Sequence, residues 1–430
     1  MSHRRVWIAV FLFTMALINY MDRITLSFGI GPIGQEFGLG DVAKGYLLSS
    51  FLWTYAAFVI PMGLLADRYG SKKVAGWGMG IWSLATALSG LSVGFVSLMV
   101  TRLVMGGGES CTNPAGAKVI REWIPAGERG MFAAAFNTGA YAGPAFCALV
   151  AGAIIEAWGW RALFVVAGVI GVAWLLAWVW FFDRPEAARW LGEDERKKIL
   201  AERNEGVKES DTATRPAGLL RLMRTTSLWG VTITQSCNTY SQYLFLTWLP
   251  SYLQTVKHLT LMKTGIFTAV PYIFAVVICL CMARLSDRLL ARSGAASGRR
   301  RNMIAFTMAM AAVVLAVPFI DDVAVLMVVI CLSIGGVATT TALNQALVND
   351  LLVNPKDIAK AMAFFVLGSN LFALLAPIIT GYVIAITGSY DWAFGFAGIL
   401  LLLGAVSDLT LTRKPMRVVM DPPATQVSAA

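Results

Sequence analysis

The chain has 430 residues, a formal net charge of +10, 57% apolar residues and a mean hydropathy of +0.67. A soluble core of this length cannot hide that much apolar surface, which excludes a soluble globular protein and predicts a polytopic membrane protein. The basic balance does not point to nucleic acid, because the cations are sorted by loop and not gathered into one patch. Apolar runs predict twelve spans in an all-α fold, at about 6–30, 45–66, 74–94, 97–118, 131–153, 161–182, 227–253, 263–285, 302–320, 322–348, 357–386 and 390–411.

The first span is too long and too polar at its centre for a signal peptide, so it is expected to stay in the mature protein. Its apolar run is interrupted by Asn19, Tyr20, Met21, Asp22 and Arg23. A charge at bilayer depth costs at least ~2.5–3.5 kcal/mol, so Asp22 and Arg23 must face protein or a water-filled cavity. At 3.6 residues per turn Asn19, Asp22 and Arg23 share one side of the helix, with Tyr20 and Ser27 beside them. That polar seam is where function is expected; the plain alternative is a salt bridge that pins two helices together.

Between the second and third spans lies Gly63-Leu-Leu-Ala-Asp67-Arg68-Tyr69-Gly70-Ser71-Lys72-Lys73. Glycine permits close helix approach, Asp67 can accept from a helix N-terminus or an Arg, and the cations mark a face of the membrane. A partial repeat, Ala283-Arg284-Leu285-Ser286-Asp287-Arg288, follows the eighth span at the equivalent place. Six spans plus six with a matched loop indicate an internal duplication. The expected domains are a six-helix half at 1–182, a linker at 183–226, a second half at 227–412 and a tail at 413–430.

The fourth span carries Arg102 and Glu109 around Gly106, Gly107 and Gly108. Seven residues are nearly two turns, about 10.5 Å along one face, so both charges address the same neighbour without touching each other. Arg102 can pair with Glu109 on its own helix or with Asp22 across the interface, and spacing does not choose between them. The glycines weaken the helix but admit a close neighbour.

The six cysteines all lie inside spans, and Cys279 and Cys281 point about 200° apart on a helix, which is poor metal geometry. They read as packing residues. His3 and His258 are isolated, so no metal, cofactor or histidine relay is expected.

The linker lacks an apolar stripe; Glu193 to Lys198 should form a solvated interfacial helix, followed by a flexible piece at 209–216. Residues 294–298 and 421–430 read as disordered. Under the twelve-span scheme 29 Lys and Arg lie on the side of the termini and linker, and Lys44, Arg161, Lys257 and Lys263 on the other, which places both termini in the cytoplasm.

Polar residues cluster in span five (Asn137, Thr138, Tyr141), seven (Gln235, Asn238, Ser241, Gln242), ten (Thr339, Thr340, Thr341, Asn344, Gln345) and eleven (Ser369, Asn370). Helices one, two, four and five of each half would then line a central cavity, with every third helix facing lipid. Single hydroxyls in such a set often only join helices, at about 0.6 kcal/mol each.

The segment from Gly63 to Lys73 resembles the signature loop of the major facilitator superfamily, over nearly the whole chain. Asn19 to Arg23, the Arg102–Glu109 spacing and Thr247-Trp248-Leu249-Pro250 resemble its anion:cation symporter branch, which includes bacterial galactonate, glucarate and hexuronate transporters. The resemblance implies Asp22 and Glu109 as proton-coupling carboxylates, with Arg102 completing the charge network. It implies Gly63, Asp67, Arg68, Gly70, Asp287 and Arg288 as gating-loop residues, and adds weight to Tyr20, Tyr55, Asn238, Tyr243, Gln345 and Asn370 as substrate positions. One departure is Ala140, where galactonate-type relatives have Gln.

The expected function is proton-coupled import of a small organic anion, a sugar acid, by a monomer in the bacterial inner membrane. Arg23 is the expected carboxylate partner, since guanidinium keeps its charge and binds by two parallel hydrogen bonds. The runner-up substrates are aromatic carboxylates or dicarboxylates such as phthalate or tartrate. A phosphate-coupled antiporter would want a second cavity Arg on span seven, a sensor would want an output domain, and an enzyme would want a nucleophile or metal ligands inside the spans.

Overall fold

The computed structural model describes residues 3–125, 128–188, 191–202, 219–293, 298–352, 354 and 357–416. In lipid every backbone polar group must be paired within its own segment, and the described membrane region is accordingly helical. The first half comprises α1 (His3–Phe37), α2 (Asp41–Tyr69), α3 (Ser71–Ser89), α4 (Phe95–Glu109), α5 (Thr112–Trp123) and α6 (Arg129–Phe181). The linker contributes α7 (Glu193–Glu202) and α8 (Leu219–Leu222). The second half comprises α9 (Thr226–Thr255), α10 (Leu261–Ser293), α11 (Arg299–Ala311), α12 (Val323–Leu351), α13 (Ile358–Thr387) and α14 (Asp391–Leu411).

Eight of the described helices are long and apolar enough to cross a membrane. One of them, α6, has 53 residues, about 80 Å if straight and more than twice a ~30 Å hydrocarbon core. Gly159, at φ 77°, breaks it into two passes. The α4–α5 pair makes one pass with a break at Ser110 and Cys111, α3 makes another, and α11 runs on into a 3-10 stretch at Ala312–Phe319. Helix α9 completes the twelve although it carries Gln, Asn, Ser and Thr. Its polar face is buried against protein, not lipid.

Close approach at glycine sets the position of α4. A Cβ on Gly106 would strike the Phe51 carbonyl of α2, and one on Gly108 would lie 2.8 Å from the Trp82 nitrogen of α3. These contacts fix the end of α4, and with it Glu109, within side-chain reach of α1.

Besides the α1–α9 contact, the halves meet at two glycine crossings of the same kind. In one, Gly45 of α2 packs on Pro377 and Gly381 of α13; in the other, Gly152 of α6 packs on Leu261 and Gly265 of α10 packs on Ala148. Both crossings lie towards the face away from the basic loops. On that side Tyr46 and Tyr382 also share a hydrogen bond of 3.3 Å, and Trp248 Nε1 donates to the Pro377 carbonyl at 3.2 Å.

The linker helix expected from Glu193 forms as α7, but it is docked and not freely solvated. Ile199 is buried, and Arg5 Nη2 donates to Glu202 Oε2 at 2.7 Å. Of the residues expected to be flexible or disordered, 209–216, 294–297 and 421–430 lie outside the described residues, and Gly298 is the N-terminal cap of α11 at φ 68°.

Candidate functional site

The four ionic side chains singled out in the sequence are all buried: Asp22, Arg102 and Glu109 are 0% exposed and Arg23 is 4% exposed. None faces lipid, as the insertion cost requires. Arg23 Nε donates to Glu109 Oε2 at 3.0 Å, joining α1 to α4. Its Nη1 donates to the Tyr243 hydroxyl of α9 at 3.0 Å, so one guanidinium bridges both halves. Four residues on, Ser27 Oγ donates to the Leu246 carbonyl at 2.9 Å and ties the same two helices again.

Three rings surround this guanidinium. Its carbon lies 4.5 Å from the centroid of Tyr20, 5.0 Å from that of Tyr55 and 5.2 Å from that of Phe51. The arrangement is a buried cation–π cage, and a guanidinium has five N–H donors with which to hold a carboxylate. Tyr55 accepts from Asn113 Nδ2 at 2.9 Å, and Phe51 stacks on Tyr243 with centroids 6.4 Å apart. Phe51 and Asn113 escaped the sequence reading. Their signal was helical spacing, four residues before Tyr55 and four after Glu109.

Of the two partners left open for Arg102, the structure gives Asp22 across the interface, but at its backbone carbonyl and not its carboxylate. Arg102 Nη1 donates to the backbone carbonyl of Asp22 at 3.3 Å and contacts Met105 Sδ at 3.0 Å, while Glu109 is taken by Arg23. Consecutive residues on a helix point about 100° apart, so the expected seam is split. Arg23 turns to α4 and α9, whereas the Asp22 carboxylate turns into the first half towards Trp82 and Thr86 of α3. Both Asp22 oxygens are buried without a hydrogen bond in the protein, and so is Glu109 Oε1.

Other predicted positions stand apart from this cluster. Asn238 is fully buried, and its amide donates to the Val337 carbonyl at 3.1 Å and to Thr341 Oγ1 at 2.9 Å, which fastens α9 to α12. Gln345 and Asn370 are half-buried on α12 and α13, and the hydrogen bonds and ring contacts of the Arg23 cluster do not include them.

At the basic-loop face, Lys118 Nζ bonds Asp67 Oδ1 at 2.9 Å and the Ala66 carbonyl at 2.8 Å. Arg68 lies over Tyr69 at 5.3 Å, and Gly63 packs near Pro114. Gly70 has φ 91°, and a Cβ there would strike the Arg184 guanidinium. Arg288 is exposed; the Asp287 side chain lies outside the described residues. Among the described residues no group of three or more His, Cys, Asp or Glu side chains is placed to hold a metal ion.

Sequence comparison assigns this twelve-pass helical fold to a known superfamily. The model of the Major Facilitator Superfamily matches residues 12–296 and again 292–426. The chain belongs to this superfamily. As a member of the major facilitator superfamily it is a transporter and not an enzyme. It is 28% identical over 440 aligned residues to the probable galactarate/D-glucarate transporter GudP of Escherichia coli (strain K12), with 99% of this chain and 97% of that one covered. It is 31% identical over 413 residues to the probable L-galactonate transporter of the same strain, covering 94% and 88%. Among solved structures, the bacterial homologue of the human lysosomal transporter Spinster, in an inward-facing and occupied conformation, superposes with a TM-score of 0.76 over 98% of this chain and 100% of that chain. At 16% identity that likeness concerns the fold alone.

Proposed function

We propose that the protein imports a sugar acid (an aldonate, aldarate or uronate) together with protons by alternating access. It works as a monomer in a bacterial inner membrane, with both termini in the cytoplasm, as the loop charges favour. The observation that carries the reading is the buried Arg23–Glu109 pair, 3.0 Å apart at the seam between the halves. A substrate carboxylate can take the guanidinium by two parallel hydrogen bonds only if Glu109 gives it up. An ionised Glu109 left alone in the protein interior is costly, so its release is coupled to uptake of a proton. Arg23 also holds Tyr243 across the seam, which links occupancy of the guanidinium to the contact between the halves. Asp22, whose carboxylate is buried without a hydrogen bond in the protein, is the second proton site, and Arg102 holds its backbone in place.

The relatives named as galactarate, glucarate and galactonate transporters support the choice of a sugar acid. Tyr20 and Tyr55 supply hydroxyls beside Arg23, while Asn238 acts by fixing Thr341. The rings of Tyr20, Tyr55 and Phe51 favour a second reading, an aromatic carboxylate stacked in the cage. Thermal-shift measurements on the purified protein separate the two. Stabilisation by galactonate or glucarate is expected; stabilisation by phthalate or benzoate alone would overturn the sugar-acid assignment.

A further inference from the structure

Three hydroxyl side chains run along one face of α10: Thr264, Thr268 and Tyr272, spaced four residues apart. All three are buried, with exposures of 0%, 0% and 3%, and none of the three hydroxyl groups makes a hydrogen bond in the protein. A buried threonine in a helix ordinarily donates to the carbonyl one turn back, as Thr25, Thr232 and Thr339 do here. Leaving such a group unpaired costs about 1–3 kcal/mol, so three in a row call for a ligand that pairs them in another state of the protein.

Their position identifies the state. Thr264 adjoins Gly265, which closes against Ala148 of α6 at one of the two glycine crossings between the halves. At the other end the Tyr272 hydroxyl lies within electrostatic reach of that of Tyr141 of α6, as does that of Tyr20 beside Arg23. The row therefore covers about 12 Å, from the contact that seals the loop-poor face to the edge of the Arg23 cluster. The lipid-facing side of α10 is a different one, occupied by Ile266, Ile273, Phe274 and Val277.

We infer that Thr264, Thr268 and Tyr272 form a hydroxyl track that lines the outer half of the translocation route and binds the hydroxyl groups of a polyhydroxylated carboxylate on its way to Arg23. A hydroxyl both donates and accepts, so the track offers what a polyol chain needs when it sheds water. Opening of the α6–α10 crossing uncovers it, and closing returns it to the buried state seen here. The inference rests on the sugar-acid reading for its ligand but not for its location.

The test has two arms. In intact cells, T264C and T268C are expected to react with a membrane-impermeant maleimide beyond the background of the native cysteines, and galactonate or glucarate is expected to slow that reaction. In proteoliposomes, T264V and T268V, which keep the shape and remove the hydroxyl, are expected to raise KM for the hydroxylated acid about five- to tenfold with little change in kcat. Cysteines that stay unlabelled would overturn the track, and so would valine variants with unchanged KM for a sugar acid that the parent transports. Labelling without protection by any sugar acid would instead leave the lining standing and remove the sugar-acid substrate.

Discussion

Arg23 and Glu109 form a buried ion pair at 3.0 Å between α1 and α4, and the same guanidinium donates to Tyr243 of α9. One side chain thus holds a carboxylate of its own half and a phenol of the other. Displacing either partner alters the packing of the seam as well as the local charge.

Replacing Arg23 by Lys keeps the positive charge and removes the planar fork. Charge-assisted hydrogen bonds contribute about 1.5–3 kcal/mol each, so loss of one raises KM about 10- to 100-fold. Initial uptake rates against substrate concentration read this directly, with monodisperse purified protein as the check on folding.

Glu109→Gln releases Arg23 without leaving a charge behind. Substrate binding to the parent protein is expected to tighten as the pH falls, because a protonated Glu109 frees the guanidinium. In the Gln variant binding is expected to be tight and flat across the same pH range. Calorimetric titration at several pH values checks it, and a slope retained in the variant would move the coupling elsewhere.

Gly45 sits at the α2–α13 crossing, where a Cβ would lie 2.7 Å from the Pro377 carbonyl oxygen. Gly45→Val is expected to prise the loop-poor face apart and slow uptake about tenfold or more, a bias of at least ~1.4 kcal/mol between the two states. Raised labelling of T268C in the same background is the accompanying measurement.

Asp67 is 79% exposed and bonded to Lys118 at 2.9 Å. An exposed pair adds little to stability, so Asp67→Asn is expected to leave the melting temperature nearly unchanged. If the loop gates the halves, kcat falls several-fold at constant KM.

The sequence made the twelve passes visible because lipid demands long apolar runs, and even the polar α9 lies between recognisable neighbours. The burial of Asp22, Arg23, Arg102 and Glu109 followed from the cost of charge in a bilayer. Their partners did not follow. Arg102 and Glu109 share a helix face, yet Glu109 pairs with Arg23, because the α1–α4 contact depends on how closely Gly106 and Gly108 let α4 approach α2 and α3. Spacing along one helix carries no record of a crossing between several. Asp22 and Arg23 share a polar stretch of sequence, but adjacent residues point to different neighbours: one faces α3 and the other α9. Asn238 reads as a ligand group in the sequence; in the fold its amide nitrogen fastens Val337 and Thr341, while its Oδ1 is buried without a hydrogen bond in the protein.

The most direct measurement is uptake by Asp22→Asn in proteoliposomes with an imposed proton gradient, alongside counterflow exchange without one. The expected result is loss of gradient-driven accumulation with counterflow still measurable. Accumulation by the variant equal to that of the parent protein would contradict a proton site at Asp22.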